Sequence, residues 1–259
     1  MACDIKCCFI GNGMVYIQKQ VNFCPTLLNP NPNPLLPVGN VTELNISFET
    51  SEETVPNLTD GSFGNYCSLQ RLEQVNLTMN MSCFKTRNIE LAMAGQTTEV
   101  SAGTVTNEQH YVQDECEFVP TAHIINRAQP VVVTGPSGSP VYTEGTDYAI
   151  KGDGILLLEG TTITLPSIIE IDYQYLAQQD IDLAQVPFTD YTVHVSGVNA
   201  SDGSIFSETF YRVKFGPTDV ANMISTTFGS LNVTGEVLKD DCNLDANGNA
   251  KRATFKILA

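Results

Sequence analysis

From Val41 onward polar and apolar residues alternate: Thr42, Leu44, Ile46 and Phe48 point one way, and Glu43, Asn45, Ser47 and Glu49 the other. That is the period of a β-strand with one face against a core. After the turn-rich stretch 57–65, a second run places Val75, Leu77, Met79, Met81 and Cys83 on one face and Gln74, Asn76, Thr78, Asn80 and Ser82 on the other. At about ten residues it is long for a strand of a small domain. The spacing then predicts one helix over Thr86 to Ala94, with Thr86 able to cap its start and Gly95 suited to a left-handed stop. Its Ile89, Leu91, Ala92 and Met93 can cover a sheet face.

The texture changes between Glu117 and Tyr175. Short strands at Val131–Val133, Val141–Thr143, Tyr148–Ile150, Ile155–Leu158 and Ile168–Tyr175 are separated by turn clusters such as Gly135-Pro136-Ser137-Gly138 and Gly152-Asp153-Gly154. Longer alternating strands resume after Gln178, with Tyr191, Val193 and Val195, then Tyr211, Val213 and Phe215, then Leu231, Val233 and Val237 on their apolar sides. The opening forty residues, with Asn29-Pro30-Asn31-Pro32-Asn33-Pro34, exclude a helix and read as an extended arm. The expected organisation is an arm over 1–40, a discontinuous main domain over 41–116 and 179–259, and an inserted β module over 117–178.

Composition narrows the functions. Thirteen basic residues against twenty-nine acidic give a net charge of −16, which argues against a static grip on nucleic acid because most faces repel phosphate. No apolar run approaches the roughly 20 residues that cross a bilayer, so no membrane partner is expected. The first residues lack a basic segment leading into an apolar one, so Sec-type export is not expected. Seven Asn-x-Ser/Thr sites, at Asn40, Asn45, Asn57, Asn76, Asn80, Asn199 and Asn232, exceed the composition; alternating strands with Asn, Ser and Thr on their polar side produce the same excess.

Candidate chemistry is sparse. The three histidines, His110, His123 and His194, fall in no His-x-x-x-His or nucleophile-elbow pattern. No catalytic residue, cofactor or metal ligand is assigned, and no enzymatic activity is expected. The loop Asp240 to Asn249 is rich in oxygen ligands but ends in Ala250 and Lys251, without the glutamate that closes a calcium loop. The eight cysteines are dispersed without zinc-site spacing and are expected to be buried free thiols. The sharper alternative is disulfides between subunits through Cys3, Cys7, Cys8 and Cys24.

The order of motifs resembles the major tail tube proteins of long-tailed bacteriophages. The likeness is carried by Gly64-Asn65-Tyr66-Cys67-Ser68-Leu69-Gln70-Arg71-Leu72, the strand Gln74 to Phe84, the helix with Asn88-Ile89-Glu90-Leu91-Ala92-Met93-Ala94-Gly95, Tyr211-Arg212-Val213-Lys214-Phe215-Gly216-Pro217, and Leu231 to Asp240. Within the insertion, Pro140 to Tyr148 and Ile169 to Tyr175 look like the Ig-like modules of phage structural proteins. The Cys-rich start and Pro-rich arm depart from the pattern. The resemblance implies a mainly β fold: a tail-tube-type β-sandwich or barrel with one flanking α-helix, plus an inserted small Ig-like β-sandwich. It also implies homo-oligomeric, hexameric rings stacked into a tube of the virion tail, made in the host bacterial cytoplasm, through which double-stranded DNA passes without binding during ejection. Other tail proteins would be its partners: tape measure, terminator, distal tail and, where the tail is contractile, a sheath.

On that reading the channel wall is made by the polar strand faces, with Glu43, Asn45, Ser47, Glu49, Gln74, Asn76, Thr78 and Asn80 as lumen-lining residues. The alternative from another class is a cell-surface or glycan-binding β-sandwich protein.

Overall fold

The computed structural model describes residues 8–22, 24–26, 28–59, 64–185, 189–218, 224, 226 and 229–258. In chain order the elements are β1 (Gly11–Lys19), β2 (Leu36–Gly39), β3 (Val41–Pro56), β4 (Asn65–Met81), α1 (Thr86–Met93), β5 (Gln96–Val100), β6 (Gly103–Val112), β7 (Phe118–Pro120), β8 (Val132–Thr134), β9 (Tyr148–Lys151), β10 (Gly154–Leu157), β11 (Ser167–Tyr175), β12 (Gln178–Asp182), β13 (Asp190–Asn199), β14 (Ile205–Phe215), β15 (Leu231–Val237), β16 (Asp240–Leu244), β17 (Ala250–Lys251) and β18 (Ala253–Ile257). The fold is mainly β and sandwich-like, its sheets antiparallel, with α1 its one α-helix among the described residues.

Two compact units divide the chain: Met1–Gln96 with Ile181–Ala259, and Thr97–Asp180. The first holds an eight-stranded sheet in the order β2-β1-β13-β14-β15-β4-β3, with β18 also paired to β14. The strands at the two ends of that order, β2 and β3, are joined by the single residue Asn40. The sheet therefore curls around its own apolar face without closing. That face supplies the core: Val15 and Ile17 of β1, Leu77, Met79 and Met81 of β4, Val193 of β13, Phe210, Val213 and Phe215 of β14, and Leu231 and Val233 of β15, with Leu91 and Ala92 of α1 packed against them.

The second unit is a small sandwich of two three-stranded sheets, β7-β10-β9 and β6-β11-β8. Ile155, Leu157, Ile169, Ile171 and Tyr173 form the centre of its core.

Several expectations are corrected. The opening forty residues are not an arm throughout, because β1 pairs with β13 from Gly11↔Asn199 to Lys19↔Tyr191, and β2 pairs with β1. The second unit begins near Thr97 and not at Glu117, because β6 pairs along its length with β11. Val141 to Thr143 makes an isolated bridge, Thr134↔Val141, and no strand. A bulge in β14 puts Phe210 on the core, while the Tyr211 hydroxyl meets Thr254 Oγ1 at 2.8 Å. Helix α1 takes Lys85 as its N-cap, and Ala94 holds the left-handed stop at φ 48°. Gly95 serves close approach instead: a Cβ there would lie 2.9 Å from Ile181 Cγ2.

Candidate functional site

The eight residues predicted to share a polar face do so as cross-strand pairs. The β3–β4 register sets Glu43 opposite Asn80, Asn45 opposite Thr78, Ser47 opposite Asn76 and Glu49 opposite Gln74. The four β3 residues and Gln74 are exposed; Asn76, Thr78 and Asn80 are half-buried. Their side chains are organised among themselves. The Asn45 amide donates to Glu43 Oε1 at 2.6 Å, and the Asn76 amide donates to Glu49 Oε1 at 2.9 Å. Beneath the face, Val75, Leu77, Met79 and Met81 are buried, which fixes the register because a slip of one residue would turn them to solvent.

The face continues further than predicted. On β15, Asn232 pairs with Asn80, Thr234 with Thr78 and Glu236 with Asn76, and the Thr78 and Thr234 hydroxyls lie 3.2 Å apart. Lys214 of β14 pairs with Glu236, and Asp190 of β13 pairs with Lys214. The alternation of Leu231, Val233 and Val237 already implied Asn232, Thr234 and Glu236. Lys214 and Arg212 sit at the β13–β14 side, where Arg212 Nε donates to Asp190 Oδ2 at 2.6 Å. On the β3–β4 side, Glu43 and Glu49 have only neutral cross-strand partners. Apart from the exposed Arg71, which the register sets opposite Ser51, this half offers phosphate carboxylates and neutral groups, without the cation array that holds a nucleic-acid backbone.

Four sequon asparagines, Asn45, Asn76, Asn80 and Asn232, fall on this face. Asn199 is buried, its Oδ1 accepting the Ile10 N–H at 2.9 Å.

The strand edges differ. The edge of β2 is covered by α1: the Arg87 guanidinium donates to Pro37 O, and the buried Asn88 amide donates to Val38 O at 2.7 Å and Cys83 O at 2.8 Å. Among the described residues, β3 pairs with β4 along Val41–Pro56 and has no backbone partner on its other edge. The apolar side of β3 was expected to be half-buried, but Ile46 is 36% and Phe48 66% exposed. Core partners end at Val75, and the hairpin continues past them.

The cysteines also differ from expectation. Cys24 is bonded to Cys242 within the chain, so it is not left for a neighbouring subunit. Cys8, Cys67 and Cys116 are exposed free thiols and Cys83 is half-buried, against the expectation of buried ones. Cys3 and Cys7 lie outside the described residues.

His194 stands on the polar side of β13 with Nδ1 2.8 Å from Thr209 Oγ1. In the second unit, Glu108 accepts from the Tyr173 hydroxyl at 2.6 Å and from the Ala122 N–H at 2.9 Å, and lies 2.8 Å from His110 Nε2. Burial opposes ionisation of Glu108, but the hydrogen bonds from Tyr173, His110 and Ala122 together hold its carboxyl below the usual range. Burial and the bond to Glu108 push the Tyr173 phenol up to about 12. The His123 ring stacks on Tyr175 at 4.1 Å. These groups occupy one another, and the network reads as a structural clasp. In the β16–β17 hairpin, Asp245 Oδ1 accepts the Asn247 and Asn249 N–H groups, each at 2.8 Å, as in an ordinary turn. No group of three or more metal-ligating side chains converges among the described residues.

Among known proteins, the family model described as "Protein of unknown function UCP028589" matches residues 8–249. No curated protein matches the chain.

Proposed function

We propose that this chain, which belongs to that uncharacterised family, is the structural subunit of a phage tail tube: copies join sheet edges into a ring, rings stack, and DNA passes through the bore. The carrying observation is the sixteen-residue β3, open along its outer edge while β2 is covered, with the Glu43–Glu49 polar face beside that edge. A long open edge with exposed Ile46 and Phe48 is a liability for a lone molecule and an asset for one that pairs with copies of itself. In a ring that edge must meet a different edge of the next copy, and β18, which among the described residues pairs with β14 on one side only, leaves one free. The face then lines the bore, where carboxylates and neutral polar groups repel the phosphate backbone and leave the duplex free to slide.

The test is negative-stain electron microscopy of the purified chain. Rings or tubes with a central hole are expected. Stable single copies that bind glycans on an array would overturn the proposal in favour of a cell-surface lectin-like protein.

A further inference from the structure

Two apolar features of the first unit are flanked by hydrogen bonds yet left in solvent, and they lie at opposite ends of β1. Beyond the Lys19 end, Thr26 and Asn29 exchange backbone hydrogen bonds at 3.0 and 3.1 Å, and Leu28 stands beside Asn29. Leu28 is 99% exposed. Its turn is braced: Cys24 is bonded to Cys242, the Asn22 amide donates to Pro30 O at 2.9 Å, and the Asn31 and Asn33 amides both donate to Lys19 O. Prolines at 25, 30, 32 and 34 stiffen it further. A connecting loop needs none of this bracing, whereas a contact element gains from ordering before it binds.

At the Gly11 end lies a cavity of about 330 Å³ lined by Phe9, Val15, Leu44, Phe206 and Phe255, with Glu208 within it. Phe9 meets Phe206 edge-on at 5.1 Å and Phe206 stacks with Phe255 at 5.9 Å. Phe9 and Phe255 nevertheless remain 53% and 50% exposed. The Phe9 segment is hooked in place by Asn199, which accepts the Ile10 N–H and donates to Cys8 O.

We propose that the Leu28 turn of one copy seats in the Phe9–Phe206–Phe255 socket of the next. Nine residues of extended strand separate the two features by roughly 27–30 Å, so no copy fills its own socket. A knob at one end and a socket at the other make a head-to-tail contact that repeats without closing, which is the geometry of stacking. Charge selects the same occupant. Between Lys19 and Glu43 the sequence holds no charged residue, although the chain carries −16 overall, so this arm can approach another copy without carboxylate repulsion. Glu208 in the socket disfavours an acidic occupant, while the Asn29 amide beside Leu28 can donate to it.

The inference rests on the tube reading and extends it from ring closure to ring stacking. The test uses full-length Leu28→Asp, which adds a carboxylate at a side chain with no packing to lose, and Phe255→Asp on the socket side, each imaged and sedimented beside the wild type. Expected are single rings with loss of stacks for either variant, and paired rings when the two are mixed, because one intact turn then meets one intact socket. Rings of Leu28→Asp that stack as the wild type does, or a mixture that recovers no pairs, overturn this inference and leave ring formation standing. Wild-type protein that never forms rings overturns the tube reading and this inference with it.

Discussion

Glu208 lies on the core-facing side of its sheet, between the cross-strand neighbours Val195 and Phe255. Burial pushes its carboxyl above the usual carboxylate range. A raised folded-state pKa means that the neutral form fits the fold better. The contribution to stability is therefore complete below the ordinary carboxylate value and is lost as pH rises through the raised one. Glu208→Gln should raise Tm at pH 7 by on the order of 1–2 °C, with the gain vanishing near pH 4; thermal melts at the two pH values check it, and an unchanged Tm at pH 7 contradicts it. Other residues show what a sequence can carry. The polar faces that carry Glu43 and Asn45, and Thr78 and Asn80, were legible because alternation records the face of a strand directly, whereas their pairing is set by the register. Tyr211 was misplaced because a bulge flips the alternation without leaving a mark in composition. Cys24 was misassigned because its partner stands 218 residues away.

Among the elements, α1 and β2 form the pair that decides which edge stays open. Asn88 bridges from the helix to Val38 O and Cys83 O, and its removal leaves both carbonyls without that donor. Asn88→Ala should cost about 2–3 kcal/mol in chemical denaturation and loosen β2 first; equal stability would show that the clasp contributes nothing. The helix was legible within a residue or so because its apolar stripe is regular, although the left-handed stop falls on Ala94 and not on Gly95. β1 was not, since two glycines and a single short apolar alternation, Val15 and Ile17, give little periodic signal, and β2 contains Pro37. β6 was missed for a related reason: only Val105, Tyr111 and Val112 are apolar along its ten residues, so its place in the second unit is set by pairing with β11 rather than by its own pattern.

At the scale of the whole molecule, charge and edge act together. On the proposed tube, a chain of net −16 gains by keeping cations off the bore, and the β3–β4 side carries Glu43 and Glu49 against neutral cross-strand partners. Glu43→Lys with Glu49→Lys should leave assembly intact and make the assembled protein retain duplex DNA at low salt, with retention falling steeply as salt rises. A filter-binding series checks this, and identical behaviour of variant and wild type would place that face elsewhere than the bore. The most direct measurement is amide hydrogen exchange along β3 at low and high protein concentration. If copies join through this strand, its outward amides between Val41 and Pro56 exchange freely when dilute and become protected on assembly. Exchange along β3 that is the same at every concentration would contradict the account.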